Sequence, residues 1–235
     1  MPYGSAGASA GITWRFNVTT RIALGFLAAF MFGAAALLFV VPFSFDTDRS
    51  GDWIVLLTAL AMTGFGAFAT FGLVAAVRTR ITIRGATLEA TVVDGHDRLL
   101  VPHFRTVRLP LSDVRSVERR CELFRTLGFS TMRNALSIVT VDGNRIGLCS
   151  DTLGNASTLP LDDVANAVAG AAGVPVTDGG TVRTRGSGLY GAASSSWTEA
   201  PLDVVTASKA RRTAIATAQL CTVLLLLTLV VRAFL

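Results

Sequence analysis

The sequence is poor in charged residues. Asp, Glu, Lys and Arg make up 16% of the 235 residues, whereas hydrophobic residues make up 51%. Because soluble domains usually carry about 25% charged residues, this composition does not fit a purely soluble protein. The mean hydropathy of +0.54 leads to the same conclusion.

Cysteine is also scarce. Cys121, Cys149 and Cys221 show no CxxC spacing and have no histidine beside them in the sequence. An odd number of cysteines without a pairing pattern argues against a disulfide framework. We expect three structural thiols in a reducing compartment, with a weak redox role as the alternative.

Catalytic motifs are missing: the sequence contains no GxSxG elbow, no P-loop and no GxGxxG. A lone serine or cysteine without a paired base is not activated for nucleophilic attack. Asp94, His96, Asp97 and His103 are close enough in sequence for a metal cluster, but a hairpin would place His96 at its tip and His103 on the returning strand. We interpret them as a surface turn and expect no enzyme activity, no cofactor and no metal.

Charged residues are absent altogether from three long segments, residues 22–45, 53–77 and 213–231. A helix needs about 20 mostly apolar residues to cross the hydrocarbon core of a bilayer. We therefore predict a transmembrane hairpin within residues 21–78 and a third transmembrane helix within residues 209–235. A cleaved signal peptide is the alternative for the first segment, but a second span follows it after a short loop.

Basic residues flank the three segments unevenly. They are Arg15 and Arg21 before the first span, Arg78, Arg80 and Arg84 after the second, and Lys209, Arg211 and Arg212 before the third. Because basic residues accumulate on the cytoplasmic side, residues 1–20 and 79–208 are predicted to be cytoplasmic and the C-terminus periplasmic. This arrangement predicts a multi-pass protein of the bacterial inner membrane.

The same arginines are candidate contacts with the lipid surface. A basic residue beside anionic headgroups contributes about 1 kcal/mol, so Arg78, Arg80 and Arg84 are candidate membrane-surface contacts, with topology determination alone as the alternative. Residues 78–208 carry 14 Arg but also 13 Asp and Glu. Nucleic acid is therefore not expected as a partner, because its binding needs a concentrated basic face.

The predicted spans also lack ionisable side chains, which usually mark the path of a pump or transporter. They do contain small residues, among them Gly33, Gly64, Gly66 and Gly72. Small residues let helix backbones approach closely. We predict helix–helix packing, mostly between the first two spans.

Residues 79–174 have the pattern of a small antiparallel β domain. Apolar residues alternate from Ile81 onwards, and the segment "VDGNRI" is typical of a tight hairpin turn. Residues 160–173 have helical spacing, with acidic residues in the first turn and Gly173 as a stop signal. The domain is therefore predicted to be an antiparallel β barrel or sandwich of six or seven strands that ends in a helix.

The arginines of the middle segment are interleaved with acids. Arg115, Arg119, Arg120 and Arg125 alternate with Asp113, Glu118 and Glu122. A run of mixed sign is most often a solvated strand face. That is our expectation here, and a partner-binding edge formed by these four arginines is the alternative.

The order of strands, then "LSDVRSV" (111–117), then a strand ending in "DGNRI", then a helix resembles bacterial pleckstrin-homology-like domains. A hairpin of two spans before the domain resembles the membrane-flanked members of that group, whereas the third span has no counterpart in it. The resemblance implies a binding fold with no cofactor and no catalysis. Eukaryotic relatives bind phosphoinositides through a basic loop between the first two strands, but residues 84–87 hold one basic residue, so that activity is not implied.

Residues 175–208 are rich in Gly, Ser, Thr and Ala and show no sustained periodicity. Such composition predicts a flexible linker to the third span. Leu189, Tyr190 and Trp197 are embedded in it, either as docking points for a partner or the membrane interface, or by chance.

Taken together, the sequence predicts a membrane-anchored, non-catalytic binding or scaffold protein. The lipid bilayer is one partner, and another membrane or membrane-proximal protein is the second. An accessory subunit of a larger transport or respiratory complex is the first alternative. An enzyme is the second alternative, although the sequence shows no polar pocket for it.

Overall fold

The computed structural model describes residues 11–44, 52–126, 129–152, 159–184, 190, 197, 199–216 and 219. For residues 41–44, 52, 96, 125, 126, 129, 130 and 152 it describes the backbone alone. The described part is an α plus β structure with two long apolar helices and two β-sheets.

The two long helices form an antiparallel hairpin. They are α1 (Val18–Ser44) and α2 (Asp52–Arg78), and both are long and apolar enough to cross a membrane. Little of their surface is buried within the protein, and large side chains such as Phe26 and Phe65 are exposed on them. The core helices of a soluble protein would bury such side chains, so these surfaces suit a lipid environment.

The eight strands form two sheets of four. Sheet A contains β1 (Ile12–Arg15), β2 (Arg80–Arg84), β3 (Thr87–His96) and β4 (Pro102–Pro110), in that order and antiparallel throughout. Sheet B has the order β7 (Arg145–Thr152), β6 (Phe129–Thr140), β5 (Val114–Thr126) and β8 (Val176–Arg183). The strand pairs within the predicted domain 79–174 are antiparallel, whereas β8, which lies beyond that range, pairs with β5 in parallel.

One core is shared by both sheets and by helix α3 (Leu161–Ala172). Its fully buried side chains include Leu88, Ala90 and Val92 from sheet A, Val117, Leu136 and Ile138 from sheet B, and Val164 and Val168 from α3. Alternate residues of each strand point to this core because the side chains of a strand alternate between its two faces.

The predicted hairpin and helix are both present. Thr140 and Arg145 flank the turn between β6 and β7, where Gly143 has a φ of +79°. Helix α3 ends at Gly173, whose left-handed φ of +69° and N–H bonds to preceding carbonyl oxygens close the helix. Glycine satisfies both positions without a steric penalty.

The stretch 111–117 is a strand-to-turn junction. Leu111–Asp113 forms one turn of 3-10 helix between β4 and β5. Leu111, Val114 and Val117 are all buried in the core. The spacing of apolar residues in this stretch is thus a packing pattern.

Strand β1 connects the helical hairpin to the β domain. It lies directly before α1, and its partner β2 lies directly after α2, with Ile12 opposite Ile83. Phe16, between β1 and α1, is buried in the main core. The predicted N-terminal segment 1–20 therefore contributes a strand of the sheet, which the sequence pattern did not predict.

The predicted flexible linker is partly ordered. Residues 176–183 form β8, so the prediction of a flexible segment over residues 175–208 is wrong there. Pairing with the edge of β5 supplies the backbone hydrogen bonds that composition alone does not favour. A helix follows over residues 204–216, and most of the predicted third span lies outside the described residues.

Helix packing within the hairpin uses some of the predicted small residues. A Cβ atom on Gly66 would lie 3.2 Å from ring atoms of Phe32, and one on Gly72 would lie 3.5 Å from Leu24. In contrast, no described atom lies within 4 Å of such a Cβ on Gly33 or Gly64. The packing prediction is thus confirmed for Gly66 and Gly72 between α1 and α2.

This difference leads to a test of the hairpin. Gly66→Leu should destabilise the α1–α2 contact by about 1–3 kcal/mol, because overpacking displaces neighbouring side chains. In the matched variant Gly64→Leu, the new side chain begins where no described atom lies within 4 Å. This variant should therefore change the stability of the α1–α2 contact by less than about 0.5 kcal/mol. Unfolding in mixed micelles with increasing SDS measures both, and equal losses would contradict the helix pairing.

Candidate functional site

The basic residues that follow α2 do not form one cluster. Arg78 ends the helix, and its guanidinium carbon lies 5.2 Å from the centre of the Phe104 ring. Arg80 begins β2 and is half-buried. Arg84 is exposed at the other end of β2, about 13 Å further along the strand. Only Arg78 and Arg80 lie where the helix meets the sheet.

The second group of arginines all lie on β5 but have different surroundings. Arg115 is exposed, and Arg119 donates a hydrogen bond of 2.7 Å to Asp162 of α3. Arg120 is buried. The backbone of Arg125 pairs with that of Ser130, while its side chain lies outside the described part of the structure.

Arg120 belongs to a buried ionic network. Its Nε and Nη2 donate to Oε1 of Glu122 at 3.0 and 2.7 Å, and Arg133 Nε donates to Oε2 of Glu122 at 2.8 Å. The exposed fractions of Arg120, Glu122 and Arg133 are 3%, 0% and 3%. The prediction of a solvated face is therefore wrong for Arg120 and Glu122.

Two aromatic rings and a second carboxylate complete this network. The guanidinium of Arg120 lies 3.8 Å from the centre of the Trp197 ring, and that of Arg133 lies 5.0 Å from the Phe124 ring. Nη1 of Arg120 also contacts Glu199 at 3.4 Å. Trp197 and Glu199 come from the segment predicted to be flexible, which here covers this face of sheet B.

Charge balance explains why the network is tolerated inside the protein. Two arginines and two carboxylates are brought together, so the buried group carries no net charge. Burial lowers the pKa of Arg133, and the neighbouring Glu122 opposes that change. A buried charge without such a partner would be strongly destabilising.

The opposite face of β5 borders a polar groove beneath the start of α3. Arg119, Cys121, Asn134 and Thr181 line this cavity, which has a volume of about 260 Å³. A larger space of about 490 Å³ continues from it towards Arg211 in the 204–216 helix. Burial raises the pKa of the Cys121 thiol, with Arg211 partly opposing the change, and a raised pKa disfavours the reactive thiolate form.

Cys149 is less reactive still. It is buried in the core, and burial raises the pKa of its thiol far above the ordinary value, with Asp151 adding to the shift. Within the described residues there is also no group of three His, Cys, Asp or Glu side chains that could hold a metal ion. The backbones of His96 and His103 lie on paired strands at the end of the β3–β4 hairpin.

The aromatic residues of the linker dock within the chain. Tyr190 packs against α2, with its ring 5.2 Å from that of Phe68, while Trp197 covers Arg120. Leu189 lies outside the described residues. Burial raises the pKa of the Tyr190 hydroxyl. Neither interpretation made from sequence describes these contacts, because Tyr190 and Trp197 pack against residues of the chain itself.

Sequence reasoning missed the ionic network because it treated each charged run alone. The signal was present in the strand register. The pairing of Thr126 with Phe129 sets a register in which Glu122 lies opposite Arg133, and alternation places Arg120 and Phe124 on the same face as Glu122. Reading β5 and β6 as a pair would have identified the buried ion pair.

No family model, curated protein or solved structure matches the chain. The function is therefore inferred from the chain's own residues and their arrangement.

Proposed function

We propose that this chain is a multi-pass protein of the bacterial inner membrane that holds a non-catalytic binding domain at the cytoplasmic face. The observation that carries the proposal is the β1–β2 pair. Because β1 precedes α1 and β2 follows α2, the start of α1 and the end of α2 must lie on the same side of the bilayer. The β domain is thereby attached to the hairpin at two points.

A shared core strengthens this attachment. Phe16 and Ala76, at the adjoining ends of α1 and α2, are buried in the same core as the two sheets, and Leu24 packs against it. Thr79, the residue between α2 and β2, is buried and bonds to the carbonyl oxygen of Ala75. A binding domain joined in this way has a fixed orientation relative to the membrane.

The fold supports a pleckstrin-homology-like assignment for this domain. Strands β2–β4 form one antiparallel meander, β5–β7 form a second, and α3 packs on the core that both share. This is the order of elements that the sequence resemblance implies, with β1 and β8 as additions at the sheet edges. Such domains bind proteins or lipids without chemistry of their own.

The candidate partner-binding surface does not include all four arginines that the sequence indicated on β5. Arg120 is enclosed in the ionic network, and Arg119 is paired with Asp162. Arg115 remains exposed near the start of β5. We infer that a membrane or membrane-proximal protein is the partner and that Arg115 lies at the contact edge.

Reporter fusions test the topology on which the proposal depends. Fusions after Asp48, Ser150 and Leu235 should give periplasmic, cytoplasmic and periplasmic signals, because the basic residues flank the cytoplasmic ends of the spans. Alkaline phosphatase, active only in the periplasm, and green fluorescent protein, fluorescent only in the cytoplasm, measure opposite outcomes. A periplasmic signal after Ser150 would overturn the proposed orientation.

An accessory subunit of a larger membrane complex is a second candidate, supported by the open space around Gly33 and Gly64. Such positions suit the approach of another helix, either the third span or one from a different protein. Crosslinking in native membranes followed by mass spectrometry distinguishes the two candidates. A stoichiometric membrane partner crosslinked near Gly33 or Gly64 supports the subunit function, and crosslinks confined to the chain's own third span rule it out.

A further inference from the structure

The hairpin of β3 and β4 extends back past the point where sheet A joins the helices. Arg80, the first residue of β2, pairs with Thr91 of β3. Beyond Thr91, β3 continues for five residues to His96 without β2 beside it. Those residues span about 16 Å. Residues 92–96 of β3 and their partners in β4, residues 102–105, are called the arm. The arm therefore runs back towards the helical hairpin.

Side-chain contacts place the arm beside the end of α2. Val93 of β3 is buried in a small cluster with Ala75, one turn before the end of α2. Phe104 of β4 packs against the same cluster and lies under Arg78. With 27 residues, α2 is about 40 Å long and exceeds the hydrocarbon core of about 30 Å. Its last turn therefore lies at the level of the lipid headgroups.

The tip of this arm, residues 97–101, carries two exposed leucines. Leu99 is 78% exposed and Leu100 is 42% exposed. Asp97 holds them in place: its Oδ1 accepts hydrogen bonds from the N–H groups of Leu99 and Val101 at 2.8 and 2.9 Å. The tip is thus a defined turn that presents two leucines outwards.

Leu100 also has an unusual backbone conformation. Its φ is +62°, in the left-handed region where glycine is favoured and a leucine is disfavoured. Backbone strain of this kind is often found at sites with a function. Burial in the protein core does not explain this conformation, because the Leu100 side chain is 42% exposed.

The surroundings of the tip match a membrane interface. Tyr190 and Phe104 pack around Ala75, one turn before the end of α2, and tyrosine, an aromatic residue with one polar end, is enriched at this depth. Arg98, next to the two leucines, is exposed and is placed to reach lipid phosphates. Arg105 pairs with Asp94 at 3.8 Å, so the arm carries little unbalanced charge.

We propose that the tip of the β3–β4 hairpin is a second membrane contact, at which Leu99 and Leu100 enter the headgroup–acyl boundary of the bilayer beside α2. The inference rests on the proposed membrane location of α1 and α2. It adds a lipid contact made by the β domain itself. Together with the β1–β2 junction, it would fix the tilt of the domain on the membrane.

Depth-dependent quenching tests this contact. The full-length chain, carrying an environment-sensitive fluorescent amino acid at one position, is reconstituted into vesicles of phosphatidylethanolamine and phosphatidylglycerol. Three separately labelled proteins are compared, with the probe at position 99 in the tip, at 141 in the exposed β6–β7 turn, or at 60 on the exposed face of α2. The matched control is 141, because Val141 bonds to Asp113 at the end of the domain away from the helices.

With lipids brominated on their acyl chains, we expect the probe at 99 to lose most of its emission and to shift to shorter wavelength. The probe at 60 should behave in the same way, and the probe at 141 should be unaffected. Adding Leu100→Asp should return the signal at 99 towards that at 141 and leave 60 unchanged, since a carboxylate resists entry into lipid.

The outcomes separate this inference from the proposed function. Quenching at 60 with none at 99 overturns the tip contact and leaves the membrane hairpin intact. No quenching at 60 overturns both the membrane location of α2 and the tip contact. Quenching at 99 that persists in Leu100→Asp would also overturn the proposed role of the two leucines.

Discussion

Replacing Glu122 with glutamine should destabilise the β domain by about 3–5 kcal/mol, because the change leaves two buried guanidinium groups without their shared carboxylate. Glu122 receives hydrogen bonds from both Arg120 and Arg133 and is fully buried. Glutamine keeps the shape but can neutralise neither charge. Since the free energy of unfolding of a typical domain is about 5–15 kcal/mol, this loss is a large part of the domain's stability.

Urea unfolding of the detergent-solubilised protein measures this change. The matched control is Glu118→Gln, since Glu118 pairs with Arg145 at 2.9 Å further along the same face of β5, where the Arg145 side chain is exposed. Exposed pairs of this kind contribute about 0–1 kcal/mol. Adding Arg133→Met to Glu122→Gln should recover part of the loss, because one unpaired charge is removed. Similar losses of unfolding free energy in Glu118→Gln and Glu122→Gln would show that the buried network contributes no more to stability than an exposed ion pair.

The second large effect is expected at the junction between membrane helix and sheet. Phe16→Ala should destabilise the β domain by about 3–5 kcal/mol, the usual cost of removing a buried phenylalanine side chain. Phe16 is 8% exposed and belongs to the main core. Its loss should also release β1 from β2, so the amides of residues 12–15 should exchange with solvent faster.

Ile12→Ala is the control for this prediction. Ile12 lies in the same strand but is 55% exposed, so its loss should change stability by about 0.5 kcal/mol or less. Hydrogen exchange measured by mass spectrometry reports the opening of β1, and urea unfolding reports the free energy. If Phe16→Ala left both quantities at the level of Ile12→Ala, the junction would not couple helix and sheet.

Local patterns predicted the elements whose own residues determine their structure. The turn at Gly143 and the helix that ends at Gly173 both depend on a glycine with positive φ, which is visible in the sequence. The long apolar helices are equally visible, because a run of uncharged residues long enough to cross a membrane is read directly from the sequence. The described helices α1 and α2 extend the predicted spans by a few residues at most.

Elements that depend on distant partners were not predicted. Strands β1 and β8 are short edge strands whose stability comes from pairing with β2 and β5. Nothing in residues 12–15 identifies a partner that follows two helices later. The ionic network was missed for the same reason, since Glu122 is a charged residue whose buried partner Arg133 lies on the neighbouring strand.

The β1–β2 pair also determines when the protein can finish folding. The ribosome makes β1 before either helix, but β2 emerges only after both have been synthesised, on the order of several seconds later. In the proposed membrane arrangement, sheet A cannot close until α1 and α2 have been inserted with both outer ends on one side. A chain in which one helix failed to insert would keep β1 and β2 on opposite sides of the bilayer and leave sheet edges exposed. Closure of this sheet would then depend on the correct insertion of both helices.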